Sequence, residues 1–585
     1  MSRMKSVFAV LLLTAIAGVV PQAHAQATLK VMIVGASGSW QALGVGTYKA
    51  GACPTGSNPG CAHYTNGNFN LTDTRPSVKS SSNPNVTDAA TVWIVWDNTI
   101  NDPTCATACN VWAYAKVDSI VGNRCYFANP RCNVNVSPFP ALAQKIASNI
   151  WGADSTPPAP VQALFTTGAV VNVGASEIRP EDAAFGECRI NSALGGANDG
   201  LAGLGYGTNA SGTCPAFGAA LTALEGHDLH SAYPGSTQTA HPMAFNISGK
   251  DPFTGLTVPA YATINVGAVP LVFIADAESA TGLQNVKNVS LKQLQTVFSG
   301  ASCIGTDLGG GTDPINVYQR EPLSGTMNAA EYTAFRLPRD SGGNYDLVNG
   351  ASQETGIGGI DPVNALTCAT AGSGNRYRSV GNGDETSFIQ NSQTNFSRDG
   401  IGYMFFSYGN VSVFAAASSK YNYLTIDNVD PIFQLWGTTF DPGQPTVAGA
   451  LPGTANLTLC ASTFPCPESK IWKGGLSFPH VRDGSYRQWI MIRLMAQTGS
   501  AAFNAANALA TSTRLSVVTT VPDFIPAVAA GVDPGLKLLR SHYTQMGVVP
   551  TNVPDKGGDV GGCIVPTGST AVKLVQRASG CVLGQ

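Results

Sequence analysis

Short apolar runs that end in turns of glycine and hydroxyl residues are the feature that most constrains the fold of this chain. Residues 29–34 (LKVMIV) are followed by GASGSW at 35–40, and the later segment 171–177 reads VNVGASE. A third run, 315–319 (INVYQ), is followed by REPLSGT at 320–326 and then by a helical pattern. Short buried strands that alternate with helices predict an α/β fold.

Other segments extend this alternation along the chain. Strands are predicted at 91–95 (TVWIV), 170–173 and 268–275 (AVPLVFIA), and helices at 139–150, 290–298, 325–335 and 486–497. Ser290 fits the N-cap of its helix, since a serine hydroxyl can accept a hydrogen bond from the first turn. The polar stretches rich in glycine, proline and asparagine are expected to be loop insertions, at 52–90, 189–216, 233–258, 340–395 and 440–470.

Composition excludes two classes of protein. Only 12% of the 585 residues are charged, the formal net charge is −3, and 44% are hydrophobic. A chain with so little charge and so much apolar surface can build a core, so disorder driven by charge is excluded. The sequence has no dense run of lysine or arginine that could neutralise a nucleic-acid backbone. We therefore expect no nucleic-acid partner.

The first 25 residues have the pattern of a cleaved export signal. Arg3 and Lys5 precede the apolar run 7–20, and Ala23-His24-Ala25 forms a small-residue cleavage site. The mature chain should begin at Gln26 and be periplasmic or secreted. Because 14 cysteines follow the signal, disulfides are expected. Plausible pairs are 53/61, 105/109, 125/132, 188/214, 303/368, 460/466 and 563/581; the alternative is a metal site led by Cys105 and Cys109.

The three turns share a chemistry suited to a small anion. Small residues let backbone N–H groups approach a ligand, hydroxyls add donors, and Arg320 adds a guanidinium whose planar fork fits an oxyanion. Each segment alone also fits a simpler structural role: Ser324 and Thr326 could cap a helix, and Arg320 could pair with an acid. Their joint order favours a site for a tetrahedral oxyanion.

That order resembles the PstS-type periplasmic phosphate-binding proteins, the solute receptors of phosphate ABC transporters. In that family an early strand ends in Gly-Ala-Gly-Ala-Thr-Phe and a later one in Gly-Ala-Ser-Asp, where this chain has GASGSW and GASE. The motif Arg-x-x-x-Ser-Gly-Thr is intact at 320–326, and segments 289–300 and 399–408 are also similar. The resemblance covers roughly half of the chain in scattered blocks.

The resemblance implies a type 2 periplasmic-binding fold: two α/β domains, a hinge and an interdomain cleft that binds the anion. The site residues it implies are Ser39, Trp40, Ser119, Glu177, Arg320, Ser324, Gly325 and Thr326. Ser39 would donate its hydroxyl and Trp40 its backbone N–H. Ser119 belongs to the segment 117–124, which stands where the family has a Gly-Ser-Ser-Gly-like turn. Glu177 replaces the family's aspartate as acceptor.

The expected organisation follows. The first domain would comprise 26–264 and 405–585, and the second 265–404, with long disulfide-stapled insertions. The expected partners are inorganic phosphate or a related oxyanion and an inner-membrane ABC permease, with neither catalysis nor a cofactor. Two alternatives remain open: an extracellular adhesin that retains the fold without the ligand, and a secreted phosphoester hydrolase. A metal site at 225–230 (EGHDLH) is a further candidate.

Overall fold

The chain forms an α/β structure built on one extended mixed sheet. The computed structural model describes residues 26–51, 60–73, 86–97, 104–106, 108–146, 148–178, 180, 183, 245, 247, 249–251, 254–320, 324–335, 366–379, 381–407, 410, 414, 420–432, 478–482, 486–519, 523–527, 538–540, 564–566, 574–577 and 580–583. The predicted export signal (1–25) and the candidate metal segment (225–230) lie outside these ranges. Among the described residues, no helix has the length and apolar character needed to cross a membrane.

The elements follow one another along the chain with many strand–helix alternations. The strands are β1 Gln26–Gly35, β2 Cys61–Asp73, β3 Val86–Asp97, β4 Ala108–Lys116, β5 Asn133–Asn135, β6 Ala169–Val170, β7 Val173–Ser176, β8 Tyr261–Asp276, β9 Asn288–Val289, β10 Asn316–Arg320, β11 Leu366–Thr367, β12 Asn375–Ser379, β13 Gly400–Phe405, β14 Tyr421–Tyr423, β15 Thr425–Ile426, β16 Trp489–Gln497, β17 Ile525–Pro526, β18 Leu538–Arg540, β19 Ile564–Pro566, β20 Leu574–Arg577 and β21 Gly580–Leu583. The α-helices are α1 Trp40–Gly46, α2 Ser119–Phe127, α3 Ser148–Trp151, α4 Ala159–Thr166, α5 Leu291–Phe298, α6 Gly325–Ala330, α7 Gly381–Gln390, α8 Ser392–Phe396, α9 Pro479–Arg482 and α10 Ala501–Thr519.

The main sheet consists of two strand groups joined by the long strand β8. Its order is β11-β12-β10-β13-β8-β16-β7-β1-β4-β3-β2-β5-β6, with β14 and β17 also pairing with β8. Residues 261–270 of β8 pair with β16, and residues 271–275 pair with β13. We call β1–β7 with β16 the first strand group, and β10–β13 the second. The predicted domain boundaries fall inside β8 and β13, and the division into two domains stays a prediction.

Several predicted elements are present. The structure contains the strands predicted at 29–34, 91–95, 268–275 and 315–319. Ser290 caps α5 as expected: its Oγ accepts a hydrogen bond from Gln293 N at 3.2 Å, and Gln293 Oε1 accepts one from Ser290 N at 2.7 Å. The helix predicted at 325–335 is α6, continued by a π-helical turn at Glu331–Phe335.

Two predicted helices are wrong. The segment 486–497 ends in strand β16, whose residues are buried from Trp489 to Ala496. A central strand buried on both faces has a continuous apolar run, and periodicity alone does not distinguish such a run from a buried helix. Of the described residues of the predicted helix 139–150, only 148–150 are helical, as part of α3. Side chains of β2 bond the carbonyls before it, with Tyr64 Oη donating to Pro140 O at 2.9 Å and Asn66 Nδ2 to Ala141 O at 2.8 Å.

Two of the expected loop insertions also contain regular structure. The segment 52–90 contains β2 and the start of β3, and 340–395 contains β11, β12, α7 and most of α8. Many of their polar residues are buried within strands and helices, such as Thr65, Asn66 and Glu385, so the sequence alone resembles loop composition.

Three of the expected disulfides are present, at Cys105–Cys109, Cys125–Cys132 and Cys303–Cys368. The first of these excludes the alternative of a metal site at Cys105 and Cys109. Cys61 is also disulfide-bonded. The pairs 188/214 and 460/466 lie outside the described residues, as do Cys53 of the pair 53/61 and Cys563 of the pair 563/581.

Candidate functional site

Three strand ends meet at one edge of the first strand group. β1 is parallel to both β4 and β7, and Gly35 is the Cα partner of Lys116 on one side and of Ala175 on the other. The turn after β1, the residues leading into α2 and Glu177 therefore converge. Gly35 has φ +140°, and a side chain there would overlap the carbonyl oxygen of Ala175. Glycine is thus needed for this close approach.

Glu177 is the buried acid of this edge, with 1% of its surface exposed. Gly38 N donates a hydrogen bond to Glu177 Oε1 at 3.1 Å, and Ser119 Oγ donates one to Oε2. Burial raises the pKa of Glu177, whereas these two hydrogen bonds and the positive charge of Arg320 oppose the increase. The structure therefore brings Ser119 and Glu177, two of the predicted ligand-binding residues, into direct contact, and their binding of a ligand stays a prediction.

Arg320 approaches the same edge from the second strand group. It ends β10 and is 1% exposed. Its Nη2 lies 2.9 Å from Asp118 Oδ1, its Nη1 donates to Asn382 Oδ1, and its Nε lies 4.0 Å from Glu385 Oε2. Asp118 belongs to the first strand group, so the guanidinium bridges the two groups. We call the group formed by Arg320, Asp118, Asn382 and Glu385, with the neighbouring pair of Ser119 and Glu177, the junction.

The Ser-Gly-Thr segment, residues 324–326, packs against Ser119 and Glu177 of the junction. Ser324 Oγ accepts hydrogen bonds from the backbone N of Thr326 at 3.1 Å and of Met327 at 3.3 Å, and so caps α6. A methyl group on Gly325 would overlap Ser119 Oγ and lie 2.6 Å from Glu177 Oε2. Glycine at this position therefore allows the two groups to pack directly together. Ser324 and Thr326 are both buried beside it.

Ser39 and Trp40 contact Tyr114 and Ser37, and so pack against the turn that follows β1. Tyr114 Oη donates to Ala36 O, so the Ser39 hydroxyl, 3.2 Å away, donates to Tyr114 Oη. Trp40 N lies 3.3 Å from Ser37 O, and the indole Nε1 lies 3.2 Å from Tyr114 O. In this conformation both residues support the turn, and their predicted ligand contacts stay predictions.

Some residues of the junction were absent from the predicted set. Asp118 stands directly before Ser119, but only the partnership with Arg320 distinguishes it from an ordinary helix cap. Asn382 and Glu385 come from α7, within a stretch taken for an insertion. Asn382 also donates through Nδ2 to Ser37 Oγ at 2.8 Å, which makes a second bridge between the strand groups. These pairings depend on the tertiary fold and have no signal in the sequence.

The described part of the chain has no cluster of three or more His, Cys, Asp or Glu side chains arranged to hold a metal ion. The junction instead combines one guanidinium, three carboxyl groups, one hydroxyl and backbone N–H groups. This donor set is suited to hydrogen bonding of a small oxyanion that itself has a proton to donate.

Comparisons with known proteins found matches among solved structures alone. No family model and no curated protein matches the chain. Among solved structures, a high affinity periplasmic phosphate-binding protein (PfluDING) is 11% identical, with a TM-score of 0.33, over 86% of this chain and 91% of that one. An ABC-type phosphate transport receptor from Vibrio cholerae is 11% identical, with a TM-score of 0.23, over 47% of this chain and 76% of that one.

PstS from Borrelia burgdorferi is a third such structure, 12% identical with a TM-score of 0.23, over 44% of this chain and 69% of that one. Identities and TM-scores this low describe a resemblance and say nothing about individual residues. The solved structures that this chain resembles are phosphate-binding proteins.

Proposed function

We propose that this chain is an exported solute-binding protein that captures phosphate, or a similar tetrahedral oxyanion, for ABC-type uptake. One observation supports the proposal above the others: Arg320 of the second strand group pairs with Asp118, directly before Ser119 in the first, and its charge acts on Glu177. The two halves of the predicted motif set are separated by more than a hundred residues of sequence, and a binding role requires that they meet.

Charge and hydrogen bonding at the junction suit a protonated oxyanion. Arg320 can donate two parallel hydrogen bonds to neighbouring oxygens. Glu177, as a carboxylate, accepts the hydrogen bond of an anion that bears a proton. A fully ionised anion such as sulfate has no proton to donate, so it would leave the buried acceptor facing a negative oxygen. The preference for phosphate over sulfate therefore comes both from the hydrogen bond that phosphate donates to Glu177 and from the repulsion between Glu177 and sulfate.

The proposed mechanism is closure of two domains over the anion. The domains would be 26–264 with 405–585, and 265–404, connected through β8 and the chain leaving β13. The anion enters when the two strand groups separate, replaces partners such as Asp118 at the guanidinium, and is enclosed when they close. A permease would then distinguish the closed form. Export through the segment ending at Ala25 is part of the proposal, and it would put this function in the periplasm or outside the cell.

The test is a calorimetric titration of the mature protein, stripped of ligand by unfolding and refolding, with phosphate and separately with sulfate. One-to-one binding of phosphate with no response to sulfate is expected. Absence of heat with both anions, from a protein that melts cooperatively, would contradict the proposal and favour the adhesin. Release of phosphate from a phosphoester by the same preparation would favour the hydrolase.

A further inference from the structure

Lys116 is a lysine at the edge of the junction that the proposed mechanism does not yet use. It ends β4, pairs across the sheet with Gly35, and stands two residues before Asp118. The side chain is half-buried, whereas the neighbouring Ser119, Glu177 and Arg320 are almost fully enclosed. Lys116 therefore lies at the rim, between the solvent and the enclosed groups.

The ammonium group of Lys116 is close to other charges but is not neutralised. Among the residues that the structure describes, no acceptor receives a hydrogen bond from it, and its Nζ lies 5.2 Å from the centroid of the Trp40 ring. A cation over an aromatic face keeps its full charge. Burial lowers the pKa of Lys116, the positive charges of Arg320 and Lys145 lower it further, and Asp118 opposes them.

The charge of Arg320, unlike that of Lys116, is already compensated by neighbouring acids. Asp118 lies 2.9 Å from its Nη2, Glu385 4.0 Å from its Nε, and Glu177 is close enough for Arg320 to influence its pKa. One guanidinium facing three carboxyl groups leaves the enclosed part of the junction without spare positive charge. A doubly charged anion placed there needs a further cation within a few ångströms.

The geometry points to Lys116 as a specificity-determining residue of this site, one that supplies the second positive charge to a dianionic tetrahedral ligand. The inference rests on the proposed function and deepens it, because it assigns the ligand class as dianions rather than monoanions. In the absence of ligand the uncompensated ammonium, together with the exposed Lys145, also attracts anions to the rim.

The experiment compares phosphate binding by the wild type with that of Lys116→Met, Lys116→Arg and Lys30→Met at low and high salt. Lys30 is a matched control, since it is a half-buried lysine in β1, five residues before the junction edge. We expect Lys116→Met to bind phosphate about tenfold more weakly, with a smaller salt dependence. Lys116→Arg and Lys30→Met should stay within about threefold of wild type.

Each result has a defined meaning. Equal affinity and equal salt dependence for Lys116→Met and wild type, with native melting in both, would overturn the role of Lys116 and leave the proposed function intact. A wild type that binds no phosphate would overturn both. An equal loss in Lys30→Met would also overturn the inference, because general charge rather than position would then determine affinity.

Discussion

Two buried carboxyl groups stand at strand ends of this protein, and their surroundings differ. Glu177 follows β7 and accepts hydrogen bonds from Gly38 N and Ser119 Oγ, with Arg320 nearby. Asp276 ends β8, where its Oδ2 accepts only a long bond from Gln393 N, at 3.4 Å. Its Oδ1 has no hydrogen-bond partner among the described residues.

The difference shows which of the two acids can serve as a ligand acceptor. Burial raises both pKa values, but donors and a cation oppose the increase at Glu177, whereas Asp399 and Glu278 add to it at Asp276. The pKa of Asp276 reaches about 8, so this group holds a proton at neutral pH. Hydrogen-bond donors around Glu177 favour its ionised form, which can accept a bond from a ligand. Neighbouring acids around Asp276 favour its neutral form.

Among the variants that test this comparison of the two acids, the largest effect is expected from Gly325→Ala, which would separate Glu177 from the second strand group. The added methyl group would overlap Ser119 Oγ in the closed packing. Overpacking at such a contact costs about 1–3 kcal/mol, so phosphate should bind about ten- to a hundredfold more weakly. The matched control is Gly383→Ala, an exposed helical position with nothing within 4 Å of the added atom. Calorimetry of both variants would test this, and equal affinities would refute the close approach.

The second-largest effect on anion binding is expected from Glu177→Gln. This substitution removes the negative charge of Glu177, the acid that hydrogen-bond donors surround, and leaves Asp276 unchanged. The amide no longer repels a fully ionised anion, so sulfate binding should appear while phosphate binding weakens about tenfold. In the wild type, sulfate binding should increase as the pH falls, because protonation of Glu177 removes the same repulsion. A variant that still excludes sulfate would show that another group makes the distinction.

The third effect concerns stability rather than binding, through Asp276→Asn. The folded protein keeps the proton of Asp276 up to about pH 8, whereas an unfolded aspartate releases it near pH 4. Between these values the native state binds more protons, so its stability falls as the pH rises, by at most about 1.4 kcal/mol per pH unit. Asp276→Asn should reduce this slope.

Urea unfolding at pH 6, 7 and 8 would measure that slope. Asp313→Asn is the control, because hydrogen bonds from Thr281 and Ser279 lower the pKa of Asp313 and confine its titration to acid pH. If Asp276→Asn had the same slope as the wild type, the proton would not reside on Asp276.

Much of the frame of this protein could be predicted from local patterns. β1, β8 and β10 each contain a short apolar run followed by glycine or polar residues, and α5 has both a capping serine and a helical period. β16 could not be recognised because a strand buried on both faces loses its alternation. The helix predicted before α3 is absent because β2 side chains bond the carbonyls of that segment, and this depends on strand pairing rather than on propensity.

The site could be predicted only in part, for a related reason. Glu177, Arg320 and Gly325 belong to motifs whose residue types indicate an anion site, and Ser119 was implied by the family resemblance alone. The structure brings these four residues together. Asp118, Asn382 and Glu385 surround the guanidinium only because β10 lies between β12 and β13 and α7 packs on those strands. No residue type or spacing in the sequence indicates such a partnership. The roles of Ser39 and Trp40 likewise depend on tertiary contacts, because both residues bond Tyr114 of β4.

The central claim is that an oxyanion binds at the junction through Arg320, and one titration tests it most directly. Phosphate would be titrated into Arg320→Ala and, as a control, into Arg131→Ala. Arg131 is a half-buried arginine away from the junction, and its Cζ lies 4.5 Å from the centroid of the Tyr126 ring. We predict that Arg320→Ala loses about a hundredfold or more in affinity while keeping cooperative melting, and that Arg131→Ala binds as the wild type does. Unchanged affinity in a folded Arg320→Ala variant would contradict the account.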